Sequence, residues 1–113
     1  LIVIAVLVRR LREGKTYEDF REAWLPEQGF GFPTRVVSAQ RVDDDREIIT
    51  IGFSELDERE AEAQLQRTGP QEQRRHDRID AMVEPEMTRR FYVQVAEDDF
   101  TEASSPSDRP PTR

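Results

Sequence analysis

Apolar positions in this chain are gathered into a few short runs, and the spacing within each run separates strands from helices. Leu1 to Leu11 (LIVIAVLVRRL) is rich in β-branched side chains and apolar at consecutive positions, the pattern of a strand covered on both faces. Gly14-Lys15 signals a turn. Thr16 then stands where an N-cap belongs, with Asp19 in the place of a capping-box acid. Tyr17, Phe20 and Trp24 follow at helical spacing, which predicts a helix from Thr16 to Leu25 ended by Pro26. Glu27 to Pro33 (EQGFGFP) has no periodicity and reads as loop.

Thr34 to Val42 and Glu47 to Ser54 read as the arms of a hairpin joined by the acidic turn Asp43 to Arg46. In the second arm Ile49, Ile51 and Phe53 share one face, while Ile48, Thr50 and Gly52 share the other. Asp57 with Glu60 repeats the capping-box pattern and predicts a helix that turns Ala61 and Leu65 inward. Gly69-Pro70 is expected to interrupt it. Helical spacing resumes near Gln71, with Ile79, Met82 and Val83 as its apolar edge, and stops before Pro85. Arg89 to Ala96 alternates, placing Phe91, Val93 and Val95 on one face and Tyr92, Gln94 and Ala96 on the other.

The order β, α, β, β, α, β makes the expected fold class α+β, a ferredoxin-like βαββαβ unit whose antiparallel sheet carries two helices on one face. A lone unit of this kind leaves its second sheet face in water, so its strands should alternate apolar with polar. The opening strand does not alternate: Ile2, Ile4, Val6 and Val8 form one face, and Leu1, Val3, Ala5 and Leu7 the other. Exposed apolar patches of that size mark interfaces, and each Leu or Val buried there contributes about 1.5 to 3 kcal/mol. The expected partner is therefore a second copy of the chain, paired through the sheet face into a dimeric α+β barrel. The other reading covers that face with the tail or a loop of the same chain.

With 35% of residues apolar and 36% charged, the core has to come from these runs alone. Residues 1–100 are expected to form one domain. Residues 101–113 form a Ser- and Pro-rich acidic tail with little to bury. A net charge of −7 argues against partnership with nucleic acid or a membrane surface. The absence of cysteine removes disulfides, thiolate metal sites and cysteine nucleophiles. The apolar opening is shorter than a membrane span and lacks the leader and cleavage site of a secretory signal, so the expected compartment is the cytoplasm. Sixteen of the seventeen Lys and Arg residues are Arg and Asn is absent, a bias of GC-rich bacterial genomes.

His76 is the only histidine, which excludes two-histidine zinc and iron sites and leaves a general base or a single haem ligand. Its neighbours Arg74, Arg75, Asp77 and Arg78 suggest a solvated helix face, whereas its spacing to Ile79 and Val83 places it at the edge of the apolar stripe. Tyr17, Phe20 and Trp24 suit either ordinary core or one wall of a pocket for a flat aromatic ligand. Phe32, beside Phe30 and Gly31, suits either a lid or a plug at the end of the sheet. The acidic runs lie in a turn and at a strand exit, where charge is solvated. No nucleotide, hydrolase or dinucleotide motif occurs, and neither a metal nor a cofactor is expected.

The opening LIVIAVLVRRLREGKTYEDFREAW and the closing RRFYVQVAEDDF, in this element order, resemble the dimeric α+β-barrel superfamily, and within it the antibiotic-biosynthesis monooxygenase-like and EthD-like groups. The resemblance implies one of several outcomes: a cofactor-independent oxygenase acting on aromatic polyketides or quinols, a haem-degrading enzyme, a lactone isomerase, or a protein with no known reaction. EthD-like groups often carry a histidine near the end of the first helix, where this chain has Trp24-Leu25-Pro26-Glu27. The haem-degrading members place a histidine on the second helix, a position to which His76 corresponds, but pair it with a first-strand asparagine that this chain lacks. Two functions stand side by side: a small-molecule binder or enzyme with a pocket between helices and sheet, and a non-catalytic oligomeric module without one.

Overall fold

The computed structural model describes residues 1–102, the side chain of Leu65 excepted. The expectation for Leu65, and that for the tail from residue 103 onward, lie outside the described residues. The elements run β1 (Ile2–Leu11), α1 (Tyr17–Trp24), β2 (Thr34–Arg41), β3 (Asp44–Glu55), α2 (Ala61–Asp80) and β4 (Val83–Val93). The strands make one antiparallel sheet in the order β2-β3-β1-β4. This α+β arrangement of four strands and two helices is compatible with a ferredoxin-like unit.

The first helix begins where its capping chemistry puts it. The Asp19 N–H donates to Thr16 Oγ1 and the Thr16 N–H to Asp19 Oδ2, at 3.3 and 2.9 Å, closing the capping box. At the other end Leu25 is extended (φ −62°, ψ 130°), as a residue before proline must be.

The second helix departs from expectation in three ways. It does not break at Gly69-Pro70 but continues through Pro70 to Asp80. Proline there forfeits one helical bond and crowds the carbonyl four residues back, a cost of about 3 kcal/mol against alanine. Buried Thr68 and Arg75, one on either side, and buried Ile79 beyond hold both halves in place, and tertiary packing outweighs local propensity. Asp57 and Glu60 form no capping box. Asp57 Oδ1 instead accepts from the Arg59 N–H at 2.8 Å, and the helix starts later, with Glu60 as an N-cap lacking a side-chain bond. Finally, Val83 is not helical but already paired with Leu11 in the sheet. Pro85 thus falls in β4, an edge strand, beside a register shift between Arg9 and Leu11, which is where a sheet admits proline.

The hairpin is tighter than expected. Arg41 pairs with Asp44 across Val42-Asp43, and the register then shifts before Gln40 pairs with Ile48. Asp44 sustains this bulge by accepting the Arg46 N–H at 3.0 Å, while Arg46 donates to the Leu11 carbonyl at 2.9 Å and to Glu84 at 3.1 Å.

Both helices lie on one face of the sheet. Leu11 and Ile48 from the strands, Phe20 and Ala23 from α1, Ile79 from α2 and Val83 at the start of β4 form the buried cluster. Its sheet members all belong to one end, where β1 finishes and β3 and β4 begin. Towards the other end the helix-facing positions include Ala5, Gly52 and Ser54 beside Val3 and Val36, with Phe91 opposite Ala5 and 58% exposed. The two layers therefore meet at one end and part at the other. Neither helix packs on the opposite face, which carries Ile4, Val6 and Val8 beside Phe53, Ile51 and Ile49.

Because the Thr16 hydroxyl satisfies a helix N–H that otherwise has no intrahelical partner, Thr16→Ala should lower stability by about 1 kcal/mol. Urea unfolding followed by circular dichroism reads this as a lower midpoint at unchanged slope.

Candidate functional site

Where the layers part they enclose a cleft of about 890 Å³, in the range of about 300 to 1,000 Å³ usual for small-molecule sites. Its floor is the sheet, with Ala5, Leu7, Ser38, Thr50, Gly52 and Ser54; its roof combines Tyr17 and Trp24 of α1 with Thr68, Glu72, Arg75 and His76 of α2. The loop from Gly29 to Pro33 and the Arg89–Phe91 stretch of β4 complete the wall. Gly31, at φ +82°, takes a left-handed conformation open to glycine at no steric cost, and it carries the chain between Phe30 and Phe32. Small floor residues create the space. A Cβ built on Gly52 would meet only Val36 Cγ2, at 3.8 Å.

Strand parity and helical spacing bring charge into this cleft. Arg9 shares its face with Leu7 and Leu11, so its side chain enters the interior and is only 3% exposed. It donates to Thr50 Oγ1 at 3.3 Å, and its guanidinium lies 5.1 Å from the Trp24 ring centroid and 5.8 Å from that of Phe20. On α2, Thr68, Glu72, Arg75 and Ile79 follow one another at intervals of four, three and four, making one inward stripe of which three members are polar. Arg75 is 7% exposed, donates to the Trp24 carbonyl at 2.8 Å and to Glu72 Oε2 at 2.7 Å, and sits 4.2 Å over the Trp24 ring. His76 Nε2 lies 3.4 Å from the same Glu72 oxygen.

Burial pushes the Glu72 carboxyl up, but the bonds from His76 and Arg75 outweigh it and hold the group below its ordinary range. Burial, reinforced by repulsion from Arg75 and Arg89, pushes the Arg9 guanidinium down to about 10, still fully charged at neutral pH. Two buried atoms have no protein partner among the described residues, Glu72 Oε1 and Arg75 Nε.

Of the residues singled out from sequence, Tyr17, Trp24, Phe32 and His76 line the cleft together. Phe20 does not. It is fully buried in the core cluster, stacked on Trp24 with centroids 5.6 Å apart. With a phenyl ring stacked on it and a guanidinium over it, the Trp24 indole is a shelf for Arg75 more than a bare wall. Arg75, expected on a solvated face, is instead part of the interior, while Arg74 and Asp77 beside it are exposed. Sequence reasoning passed over Arg9, Glu72, Arg75 and Gly52. The available signal for Arg9 was a cation on the inward parity between two leucines, and for Arg75 its position four residues before Ile79.

The chain matches no family model, no curated protein and no solved structure. No helix among the described residues is long and apolar enough to cross a membrane.

The Glu72 carboxylate bridges Arg75 and His76, so its depressed pKa makes it stabilising above its unfolded value of 4.5 and progressively less so as pH falls through its folded value. Wild type should exceed Glu72→Gln in stability at pH 7, and the gap should narrow below pH 4.5. Paired urea titrations across this range measure it.

Proposed function

We propose that the protein binds a small organic molecule with a flat apolar body in the cleft between helices and sheet. The observation that carries this reading is the floor itself: Ala5, Gly52, Ser38 and Ser54 occupy inward sheet positions where a packed domain would place large aliphatic side chains. Phe30, Phe32 and Phe91 supply aromatic surface around that space, and Leu25, Pro26 and Val36 apolar surface. Polar groups stand on both the floor and the roof, among them Thr50, Glu72, Arg75 and His76, where they can orient a ligand whose body lies on the apolar surface. Within this reading His76, tethered to Glu72, is the group that would move a proton on a bound ligand, without a metal. The alternative of a module with no ligand site leaves the small floor residues without a purpose.

We further infer that the chain pairs through the sheet face on which neither helix packs, completing a dimeric α+β barrel of the ferredoxin-like kind. Val37 and Tyr92 on the flanking strands, 48% and 50% exposed, extend the patch formed by Ile4, Val6, Val8, Ile49, Ile51 and Phe53 across all four strands. This apolar patch, centred on β1 and β3 and bordered by Arg35 over Phe53 and by Arg90 opposite Val6, is best accounted for by a partner.

The ligand reading is tested with 2-naphthamide and 2-naphthoate, followed through the indole N–H resonance of Trp24, the one tryptophan in the chain. Binding of at least one compound should move that resonance. Gly52→Leu, which projects a side chain into the cleft, should abolish the shift while leaving the far-ultraviolet spectrum unchanged. If neither compound binds wild type at millimolar concentration, the reading fails.

Pairing is read by light scattering at micromolar concentration. Wild type should have the mass of two chains and Ile51→Glu the mass of one; a monomeric wild type overturns it.

A further inference from the structure

The charged groups lining the cleft are four guanidiniums, Arg9, Arg21, Arg75 and Arg89, and a single carboxylate, Glu72. This excess of cations stands in a chain whose net charge is −7, and it is concentrated in one cavity. Glu72 is already committed to Arg75 and His76, at 2.7 and 3.4 Å. Arg9 has no carboxylate within ion-pair distance among the described residues; its one side-chain hydrogen bond there goes to the neutral Thr50 hydroxyl.

A buried cation without an anion is unfavourable, because the interior returns little of the hydration it has lost. Contacts of Arg9 with the Trp24 and Phe20 rings offset part of this. Repulsion from Arg75 and Arg89 adds to the cost, and the opposite pull of Asp80 and Glu72 is smaller. Arg75 presents a further donor, Nε, that is buried and without an acceptor. Two fork-shaped guanidiniums brought to the same indole ring, each with unused donor capacity, are suited to a planar oxyanion.

We propose that the ligand of this cleft carries a carboxylate or phosphate group on its flat apolar body, and that Arg9, supported by Arg75, holds that group against the sheet floor. The inference rests on the binding reading above. It adds the chemical class of the ligand: an aromatic acid or aryl phosphate, in preference to a neutral arene. Arg9 supplies the anion contact, the Trp24 shelf fixes the direction of Arg75, and the phenyl rings of the loop cover the ligand's body.

Calorimetric titration of the full chain with 2-naphthoate, 2-naphthyl phosphate and the neutral isostere 2-naphthamide tests it. In wild type at least one of the two anions should bind ten-fold or more tightly than the amide, and which one does so separates carboxylate from phosphate. Arg9→Gln should bring the anions to within about three-fold of the amide measured on the same variant. Arg9→Lys, which keeps the charge and loses the fork, should retain part of the preference. If the amide binds wild type as well as both anions do, the inference is overturned and the binding reading stands; if no compound binds, the binding reading itself has failed. An anion preference that survives intact in Arg9→Gln also overturns the assignment to Arg9. Should Arg9→Gln fail to fold, the wild-type ratio and the Arg9→Lys titration still decide.

Discussion

Among the described residues, the buried apolar cluster that fastens both helices to the sheet lies at one end, and the rest of the structure depends on that asymmetry. Leu11, Ile48 and Val83 lie where β1 ends and β3 and β4 begin, and Phe20, Ala23 and Ile79 bear down on them. Each large aliphatic or aromatic side chain fully buried there contributes about 1.5 to 3 kcal/mol, so this cluster joins the layers. Further along the sheet, Ala5, Gly52 and Ser54 are too short to reach the helices. A dry void of the resulting size would be costly, at about 24 cal/mol for each Å³ of empty volume. The polar lining changes this. Hydroxyls, guanidiniums and an imidazole on the walls let water or a ligand occupy the space in place of vacuum.

Core and cleft are joined by a stack of side chains. Phe20 belongs to the buried cluster, Trp24 lies on it with an interplanar angle of 18°, and Arg75 lies on Trp24 and reaches within 5.8 Å of Phe30 in the loop. The stack carries order from the tightly packed end towards the open one. A guanidinium over indole is worth about 0.5 to 2 kcal/mol depending on desolvation, and Arg75 adds bonds to the Trp24 carbonyl and Glu72. It therefore ties the end of α1 to the second half of α2, beyond the point where Pro70 weakens the helix. Two ion pairs from Arg78 and Arg74 to Glu27 lie on the solvent side of the same junction; being exposed, they contribute little.

Much of the fold was legible because its signals are local. The capping box at Thr16, the stop at Pro26 and the parity of Ile48, Thr50 and Gly52 each depend on a few adjacent residues, and each stands in the structure as read. What misled was also local. Gly69-Pro70 and the approach to Pro85 carry strong breaker chemistry, yet helix packing overrode the first, and the second became a bulge on an edge strand. The site was half legible. Aromatic residues at helical spacing pointed to Tyr17 and Trp24, and the edge of the apolar stripe pointed to His76. The cations were hidden by their neighbours: Arg9 sits next to Arg10, and Arg75 within a run of arginines, where solvated charge is the ordinary reading. Which of two adjacent arginines turns inward is decided by parity against a core that only the packed structure defines.

Strand β1 serves three environments at once, and this links the two sheet faces. Its odd positions pass from the cleft at Ala5 and Leu7 to the core at Leu11, with Arg9 at the changeover, while Ile4, Val6 and Val8 face the opposite way. The field of Arg9 in the cleft depends on how much water can screen it. Among the described residues, no helix lies beyond the sheet beneath that guanidinium. Pairing through that face would set the apolar surface of a second sheet there, keep water from it, lower the local dielectric and strengthen the attraction of Arg9 for an anion. The same change would make an unoccupied Arg9 costlier to keep charged, so assembly and anion binding would favour each other, through a coupling that needs no rearrangement of the chain.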